Sequence, residues 1–436
     1  MKIGRKGTNF SSNSFIFRFF LQIYSYFCSV NTKELHQKRV ALLLSGGVDS
    51  AVALHELVEN GVRPDCFYIK IGSEDKDEWD CSMEEDLEMA TALCHRYGVT
   101  LEIVDCHRDY WDEVTRYTIE SVREGRTPNP DVMCNRMIKF GAFDRKRGHD
   151  YDLIATGHYA QTVIDENGWK WLTTSPDLVK DQTDFLAQIY DWQLRKALFP
   201  IGHYRKEEIR AIAEREHLVN ARRKDSQGIC FLGKISYNDY LRRYLGEQEG
   251  DIIDIDTDKV IGRHKGHWFH TIGQRKGLGL GGGPWNVVRK DVERNILYVV
   301  KGYEPIRTHR MEFKIKDFHF VVSGSSEVAF PFGQRPLVQK FRSSDNTFIA
   351  EKSPNSEQMS VTPATPVTPE LLKLPRDVTF KVRHTPDYFI GTLDDLGDGN
   401  YLVHADRWVQ GVAPGQFCVI YDRDFHRCFG SGEITL

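Results

Sequence analysis

Apolar and polar positions change period along the chain, and that change predicts alternating strands and helices in its first half. From Lys38 an apolar run, Val40 to Leu44, meets a Ser-Gly-Gly turn, and apolar residues then recur at helical spacing as far as Gly61. Strand-like runs follow at Cys66 to Ile71 and at Leu101 to Val104, with a helix-spaced segment between them. Strands that alternate with helices predict an α/β fold with a Rossmann-like parallel sheet.

This pattern continues to about residue 228, which bounds the predicted first domain, residues 38–228. A helix is predicted around Tyr110 to Val122 and another from about Cys134 to Arg147. A proline-rich loop, Thr127 to Asp131, separates them, and a strand follows near Leu153 to Thr156.

The second half lacks long helical patterns. Short strands with glycine-rich turns, such as Asp251 to Ile261 and Asn295 to Val300, predict a small central domain over residues 229–304. Further strand-like runs predict a C-terminal β-barrel over residues 305–436. These runs are Phe313 to Val322, Val378 to Arg383, Tyr401 to His404 and Gln416 to Tyr421.

Two segments do not fit this pattern. Residues 1–37 are rich in Ser, Asn and Phe with no acid before Glu34, so we expect either an unstructured extension or an organellar transit peptide. Its apolar part, Phe15 to Val30, contains Arg18 and is too polar for a membrane span. Residues 353–375 hold five prolines among Ser, Thr and Glu, which predicts a disordered insertion in the barrel.

Composition narrows the class of protein. With 436 residues, 28% of them charged and 40% hydrophobic, the chain is typical of a soluble protein of two or three domains. Its nine cysteines include no C-x-x-C pair, which argues against a disulfide framework or a zinc site and predicts no structural metal. We therefore expect a cytoplasmic protein with no membrane contact, or an organellar one if residues 1–37 direct import.

The strongest local motif is the hexapeptide Ser45 to Ser50, SGGVDS, at a predicted junction of strand and helix. Backbone N–H groups at such a junction favour anions, and two glycines let the main chain approach a phosphate closely. Ser45 and Ser50 add hydroxyl donors, and Asp49 could hold Mg²⁺. No lysine follows, so the motif is not a Walker A loop.

Two cysteines lie in polar contexts, whereas Cys66 and Cys94 fall on apolar faces and are predicted to be core residues. Cys134 stands at a predicted helix start, where the helix dipole favours a thiolate, and Cys230 follows the basic run 222–224. Each cysteine taken alone is more often an inert buried thiol.

The hexapeptide, the two cysteine motifs, Ala155-Thr156-Gly157-His158-Tyr159 and Lys180-Asp181-Gln182 occur together in one order. From about residue 38 to the C-terminus the chain resembles the tRNA-specific 2-thiouridylases, or tRNA-uridine 2-sulfurtransferases, of the PP-loop ATP pyrophosphatase superfamily. The resemblance implies that ATP is cleaved between its α- and β-phosphates and that the wobble uridine of tRNA is 2-thiolated. It also implies a sulfur-donor protein, either a cysteine desulfurase or a relay protein.

The resemblance also implies roles for individual residues. It assigns Cys134 as the nucleophile and Cys230 as the persulfide carrier. By its chemistry, Asp131 beside the reacting base could take a proton or orient the nucleotide. The residues that would bind ATP are Leu43, Leu44, Ser45, Gly46, Gly47, Val48, Asp49, Ser50, Ile69 and Gly157. Those that would contact the target base are Asn129, Pro130 and Asp131, and the other tRNA contacts would be His158, Lys180, Asp181, Gln182, Arg383, His384 and Gln416. Related sequences often have Arg-Tyr where this chain has Arg383-His384.

The distribution of charge favours an RNA partner although the net charge is −4. Residues 195–245 carry twelve Lys or Arg against six acids, and residues 261–290 carry six with no acid. The second stretch also holds His264, His267, His270, Trp268 and Trp285. We interpret them as groups that bind phosphate and stack on bases of RNA. The alternative is a solvated basic face in which one or two of the tryptophans belong to the core. Residues 74–88, with nine acids, should face away from the RNA.

Alternatives remain at this point. Sulfur could be carried as a persulfide on Cys230, which we favour, or on an iron–sulfur cluster held by Asp131, Cys134 and Cys230. The chain could instead be a PP-loop enzyme that adenylates a small molecule, or an RNA-binding protein without catalysis.

Overall fold

A computed structural model describes residues 35–71, 81–224, 236–302, 307, 309–322, 373–424 and 426–435. The predictions for the N-terminal extension, for Cys230 and for most of the proline-rich insertion fall outside these residues.

The first part of the chain folds around a five-stranded parallel sheet in the order β3-β2-β1-β4-β7. β1 is wholly buried and β2 is buried at Cys66, Phe67 and Tyr68, as expected for a parallel sheet whose faces are covered by helices. The prediction of a Rossmann-like parallel sheet is confirmed. The strands of this part are β1 (Val40–Leu43), β2 (Asp65–Lys70), β3 (Leu101–Asp105), β4 (Leu153–Ala155), β5 (Gln161–Ile164), β6 (Lys170–Thr173) and β7 (Ala197–Leu198).

Helix α1 buries an apolar face against the sheet, at positions that include Val48, Val52 and Leu57. Among the described residues, no helix is both long and apolar enough to cross a membrane. The α-helices are α1 (Val48–Glu59), α2 (Cys81–Tyr97), α3 (His107–Tyr110), α4 (Arg116–Arg123), α5 (Pro130–Met133), α6 (Phe143–Lys146), α7 (Thr183–Leu186), α8 (Asp191–Lys196), α9 (Lys206–Arg215) and α10 (Tyr237–Leu245).

Two helical stretches contain a wider π-helical segment, π1 (Trp111–Thr115) and π2 (Cys134–Ala142). The second stretch begins at Pro130, four residues before the predicted start at Cys134. Asn129 caps it, because its side chain accepts a hydrogen bond from Val132 N at 3.3 Å. Pro130 then occupies the first turn, where its missing N–H costs nothing.

The central part is a four-stranded sheet in the order β10-β11-β8-β9. Its own small core contains Ile252, Val287, Leu297 and Val299. A separate cluster joins α4 to α10 through Ile119, Val122, Tyr240, Leu241 and Trp268. The strands are β8 (Gly250–Asp254), β9 (Lys259–His264), β10 (Trp285–Asp291) and β11 (Ile296–Lys301).

Six antiparallel strands close the C-terminal barrel in the order β12-β15-β14-β13-β16-β17, with β17 returning to β12. Alternate residues such as Phe313, Ile315, Val403 and Ile420 fill it. The predicted β-barrel is therefore confirmed. Its strands are β12 (His309–Phe320), β13 (Asp377–Lys381), β14 (Phe389–Gly397), β15 (Asn400–Gln410), β16 (Phe417–Tyr421) and β17 (Arg427–Thr435).

The hairpin β5–β6 belongs in sequence to the first part of the chain but pairs with the barrel. Thr173 and Leu172 of β6 pair with Arg427 and Cys428 of β17, so the barrel sheet continues into the hairpin. No sequence pattern predicted this pairing. It fixes the barrel beside the first sheet through main-chain hydrogen bonds.

Candidate active site

The hexapeptide forms a tight loop between the carboxyl end of β1 and the start of α1. Leu44 N donates to Phe67 O at 2.9 Å, and the hydroxyls of Ser45 and Ser50 lie 3.2 Å apart. The helix N-cap, Gly47, contributes no side-chain hydrogen bond to the first turn. No side chain among the described residues caps these N–H groups, and with the positive end of the helix dipole behind them such groups favour an anion.

The predicted nucleotide residues divide into two kinds. Leu43, Leu44 and Val48 are buried, so only their main chain can line the loop. Ile69 is half-buried near the end of β2, and Gly157 follows β4. Because carboxyl ends of parallel strands share one edge of a sheet, the structure brings these positions to the same edge as the loop.

Glycine is required at two of these positions. Gly46 has a φ of +74°, and a Cβ there would lie 2.4 Å from Asp86 O. A Cβ on Gly157 would lie 2.9 Å from Ser50 N and 3.0 Å from the carbonyl carbon of Asp49. The loop is therefore held between the main chains of α2 and of the segment after β4.

Asp49 is the acidic group of the loop, and sequence reasoning missed its main partner. Lys206 Nζ, from the first turn of α9, donates to Asp49 Oδ1 at 2.7 Å and to Oδ2 at 3.0 Å. Tyr159 OH donates to Asp49 Oδ1 at 2.7 Å. The sequence shows Lys206 only as one of the lysines in the basic stretch 195–245. Because 157 positions separate it from Asp49, no local pattern links the two residues. The structure thus places a cation beside the loop that is predicted to bind phosphate.

The acidic and basic runs meet at the same loop. Asn220 Nδ2 donates to Gly46 O at 2.7 Å, and Arg223 Nη1 donates to the same oxygen at 3.3 Å. Arg223 Nη2 also lies 2.5 Å from Asp86 Oδ1, although burial raises the pKa of that carboxyl. Arg223 thus has internal partners, whereas Arg222 and Lys224 are exposed, and contact of this basic run with RNA stays a prediction.

The proline-rich loop that carries Asn129, Pro130 and Asp131 is held by the barrel. Thr127 N donates to Pro414 O at 2.7 Å. Gln416 Nε2 donates to Thr127 O at 2.9 Å and to Pro128 O at 3.2 Å. In this structure Gln416, predicted to contact tRNA, fixes the main chain of the predicted target-base loop.

Cys134 lies in π2, one turn after the helix start, and only 3% of its surface is exposed. π-Helical segments are rare and frequently mark functional sites. Gln193 Nε2 donates to Arg136 O at 2.8 Å, and Arg136 Nη1 donates to Gln188 Oε1 at 2.7 Å. Asn135 Nδ2 donates to Phe185 O at 3.0 Å. The segment 185–193 thus holds the wide turn around Cys134.

The prediction that Cys66 and Cys94 are core residues is confirmed. Cys66 and Cys94 are buried in the core of the first sheet, and their hydrogen bond raises the pKa of the Cys66 thiol. Cys134 is equally enclosed, so its context is not the polar loop that the sequence suggested. Cys230 lies outside the described residues, so its predicted approach to Cys134 stays a prediction.

Several predicted tRNA contacts have internal partners instead. His158 is buried, its Nδ1 lies 2.7 Å from Thr156 Oγ1, and burial lowers its pKa. Asp181 is fully buried and accepts from Ser175 N and Thr183 Oγ1, and Gln182 Oε1 accepts from Tyr159 N. Lys180 is half-buried. Their side chains shape the edge of the site, and direct contact with RNA stays a prediction.

The barrel pair Arg383 and His384 lies close to this segment. The ring of His384 stacks on Phe185 with centroids 4.5 Å apart, and its Nδ1 is 3.2 Å from Asp184 Oδ2. Arg383 is half-buried, and its Nε and Nη2 find no hydrogen-bond partner in the described part of the chain. Burial lowers the pKa of this guanidinium, as expected for a cation that lacks an anion.

The interpretation of the central domain needs a correction. His264, His267, His270 and Trp268 are buried. Burial lowers the pKa of His267 and of His270 to about 4, so both rings are neutral near pH 7. These residues form core and do not present phosphate-binding or stacking groups to RNA.

Comparison with known proteins adds three matched family models. They are described as the tRNA methyl transferase HUP domain over residues 38–234, the tRNA methyl transferase PRC-barrel domain over residues 238–301, and the aminomethyltransferase beta-barrel domain over residues 338–434.

Curated relatives match almost the whole chain. A tRNA-specific 2-thiouridylase MnmA of Bacteroides fragilis is 51% identical, over 91% of this chain and 99% of its own length. The MnmA of Porphyromonas gingivalis is 50% identical over 91% of this chain and 99% of its own length. The MnmA of Parabacteroides distasonis is 49% identical over 91% of this chain and 98% of its own length. Identity at this level, over full lengths, shows that the chain belongs to the tRNA-specific 2-thiouridylase family.

Proposed function

We propose that this chain 2-thiolates the wobble uridine of tRNA, using ATP to activate the uracil C2 oxygen. The observation that supports the proposal is the occurrence of a loop suited to anions, with the Asp49–Lys206 ion pair beside it, in the same α/β domain as the helix of Cys134. An amide-like carbonyl is a poor electrophile, and adenylation turns its oxygen into part of a good leaving group.

ATP fits the loop by its chemistry. The first-turn N–H groups of α1 and the hydroxyls of Ser45 and Ser50 supply donors for phosphate oxygens. Lys206 adds a cation 2.7 Å from Asp49. Gly46 and Gly157 allow the loop to pack closely against neighbouring main chain, because a Cβ on either residue would push the loop out of place.

Mg²⁺ also fits this donor set. Within the described part of the chain, Asp49 Oδ2 accepts one hydrogen bond, from Lys206 Nζ at 3.0 Å, and the side chain is 34% exposed. Nucleotide-bound Mg²⁺ is usually held by one or two carboxylates together with phosphate oxygens, so Asp49 would hold it. When bound there, the ion would neutralise charge on the departing pyrophosphate.

The reaction then follows in balanced steps. Uracil O2 attacks the α-phosphorus, and pyrophosphate leaves. The terminal sulfur of a Cys230 persulfide attacks C2, and the C2–O bond breaks so that AMP leaves. The Cys134 thiolate attacks the Sγ of Cys230, which releases the thiocarbonyl and forms a Cys134–Cys230 disulfide. An external thiol supplies the two electrons that reopen this disulfide. Asp131, beside the base loop, orients the nucleotide or accepts a proton.

The iron content of the purified protein and the oxidation state of Cys230 distinguish the two possible carriers of sulfur. The persulfide route predicts a protein that thiolates tRNA at full rate without iron and carries a trappable persulfide on Cys230. The alternative, a cluster on Asp131, Cys134 and Cys230, predicts visible absorbance and stoichiometric iron after anaerobic purification, lost in variants of each of the three residues. We favour the persulfide because aspartate is an uncommon cluster ligand.

The deciding experiment measures AMP release and tRNA thiolation separately. We expect Asp49→Ala to abolish both while tRNA affinity is retained, because the loop and the RNA surface are distinct. We expect Cys134→Ser and Cys230→Ser to lose thiolation, whereas Cys66→Ser loses stability alone. AMP formation that needs no tRNA, but needs a small molecule, would instead show a PP-loop enzyme of another substrate class.

The proposal implies partners and a compartment. The tRNA would be received with a sulfur-donor protein, a cysteine desulfurase or a relay protein. We place the reaction in the cytoplasm, with an organelle as the alternative if residues 1–37 direct import. Fusion of residues 1–37 to a fluorescent protein separates these two locations.

A further inference from the structure

A cavity of about 560 Å³ lies where the three parts of the chain meet. The turn after α4 forms one wall, through Glu124, Gly125 and Arg126. The central sheet forms a second wall with residues 288–290, and Arg310 and Pro414 of the barrel form a third. Three consecutive residues of β10 reach this cavity because the strand bulges between Val287 and Arg289, which breaks the alternation of its side chains.

Five cations line this cavity, and two of them are neutralised. Arg126 pairs with Glu124 at 2.6 Å and with Glu433 at 3.3 Å. Arg307 forms a bidentate salt bridge with Asp256. Glu124 is the acid among the lining residues, and it is already engaged by Arg126.

The other three cations, Arg289, Lys290 and Arg310, have no carboxylate partner within the described ranges. Arg289 lies over the ring of Tyr298 at 3.7 Å, and Arg310 Nη1 donates to a main-chain carbonyl, His309 O. Lys290 makes no hydrogen bond or ion pair with a described residue, and its burial lowers its pKa to about 8. A half-buried ammonium without an anion is costly unless a ligand supplies one.

The cavity borders the segment that leads into the predicted target-base loop. Arg126 and Thr127 are adjacent in sequence, and Thr127 N donates to Pro414 O, so the residue that closes the barrel wall also anchors the loop. A uridine held at residues 129–131 therefore brings the neighbouring nucleotides to this opening. Arginine and lysine are the side chains that bind phosphate oxygens most strongly.

We propose that this cavity binds backbone phosphate of the RNA that presents the target uridine, with Lys290 and Arg310 as its phosphate ligands from the central sheet and the barrel. The inference rests on the proposed function for the identity of the RNA. A free phosphate has the same chemistry, and the experiment distinguishes the two sources.

The experiment titrates the full chain with unmodified tRNA, and with its isolated anticodon stem-loop, over a range of KCl concentrations. Lys290→Met should weaken both affinities about ten-fold. It should also reduce the slope of log affinity against log salt by about one for a single lost phosphate. Lys259→Met is the matched control, because Lys259 is exposed on β9 at the opposite edge of the same sheet. It should leave the slope unchanged.

Each outcome decides the proposal. Equal affinity and slope in wild type and Lys290→Met would overturn it, as would calorimetric binding of inorganic phosphate that Lys290→Met abolishes while tRNA binding is unaltered. If Lys290→Met does not fold, Arg310→Gln tests the same cavity from the barrel. A wild-type protein that transfers no sulfur to tRNA would refute the proposed function, whereas the salt slope would still decide whether RNA enters the cavity.

Discussion

Adding one methyl group at Gly157 should slow adenylation without disturbing RNA binding. In Gly157→Ala the new Cβ lies 2.9 Å from Ser50 N and 3.1 Å from Ser50 Cα, whereas ordinary contact begins at 3.4 Å. Both are main-chain atoms of the first turn of α1, so no flexible side chain can yield. The phosphate loop must therefore move away by about 0.5 Å, the difference between 2.9 Å and the 3.4 Å at which ordinary contact begins.

The size of the effect follows from this displacement. A misplacement of about 1 Å at reacting groups can cost about 10²-fold in rate, so about 0.5 Å predicts roughly ten-fold lower kcat/KM for AMP release. Overpacking at the start of α1 should also cost about 1–3 kcal/mol of stability. The affinity for tRNA should change little, because the proposed backbone-phosphate ligands, Lys290 and Arg310, belong to the central sheet and the barrel rather than to this loop.

The assay follows AMP release from labelled ATP at saturating tRNA, beside thermal unfolding and tRNA affinity. Gly281→Ala is the control, because a Cβ at Gly281 meets no atom within 4 Å and its φ is not positive. Unchanged kcat/KM in Gly157→Ala would refute the close approach as a functional constraint. Equal losses in both variants would show that the effect is not local to the loop.

Three further predictions come from single contacts. Lys206→Met should weaken ATP binding about ten-fold and leave tRNA affinity unchanged, as measured by nucleotide titration with Lys224→Met as an exposed control. Arg223→Glu should abolish AMP release because it opposes Asp86, whereas Arg222→Glu should only lower the salt slope of tRNA binding by about one, and the reverse pattern would contradict our assignment. Burial raises the pKa of Asp181 to about 6, so the folded protein holds this proton more tightly than the unfolded chain does, and stability falls as pH rises from about 4 to 6. Asp181→Asn should remove up to about 3 kcal/mol of that pH dependence in denaturant titrations, at 1.36 kcal/mol per pKa unit.

Local chemistry made much of the fold predictable. The strand, glycine turn and helix around residues 40–59 are encoded in adjacent residues, so periodicity and Gly46 were enough to place the phosphate loop. The barrel strands were equally visible as separate runs. The pairing of β6 with β17 was not, because nothing in residues 170–173 specifies a partner more than 250 positions away.

The candidate site was less predictable, because the side chains that contact one another there are far apart in sequence. Motif order identified Asp49 but not Lys206, which a helix start brings to it from 157 residues away. A count of charges could not show that Arg223 binds Gly46 O and Asp86 while Arg222 faces solvent. Nor could composition show that His267 and Trp268 are enclosed, since burial depends on how α10 packs beside them.

The shared sheet of hairpin and barrel has a consequence for synthesis on the ribosome. Leu172 pairs with Cys428, so 256 residues must be added after the hairpin before its partner strand exists. At about 5–20 residues per second, that wait lasts roughly 10 to 50 seconds. Until then the outer edge of β6 can pair with strands of other nascent chains. β17 pairs with β12 on one side and with β6 on the other, so its synthesis both closes the barrel and ends this exposure of the nascent chain to misassembly.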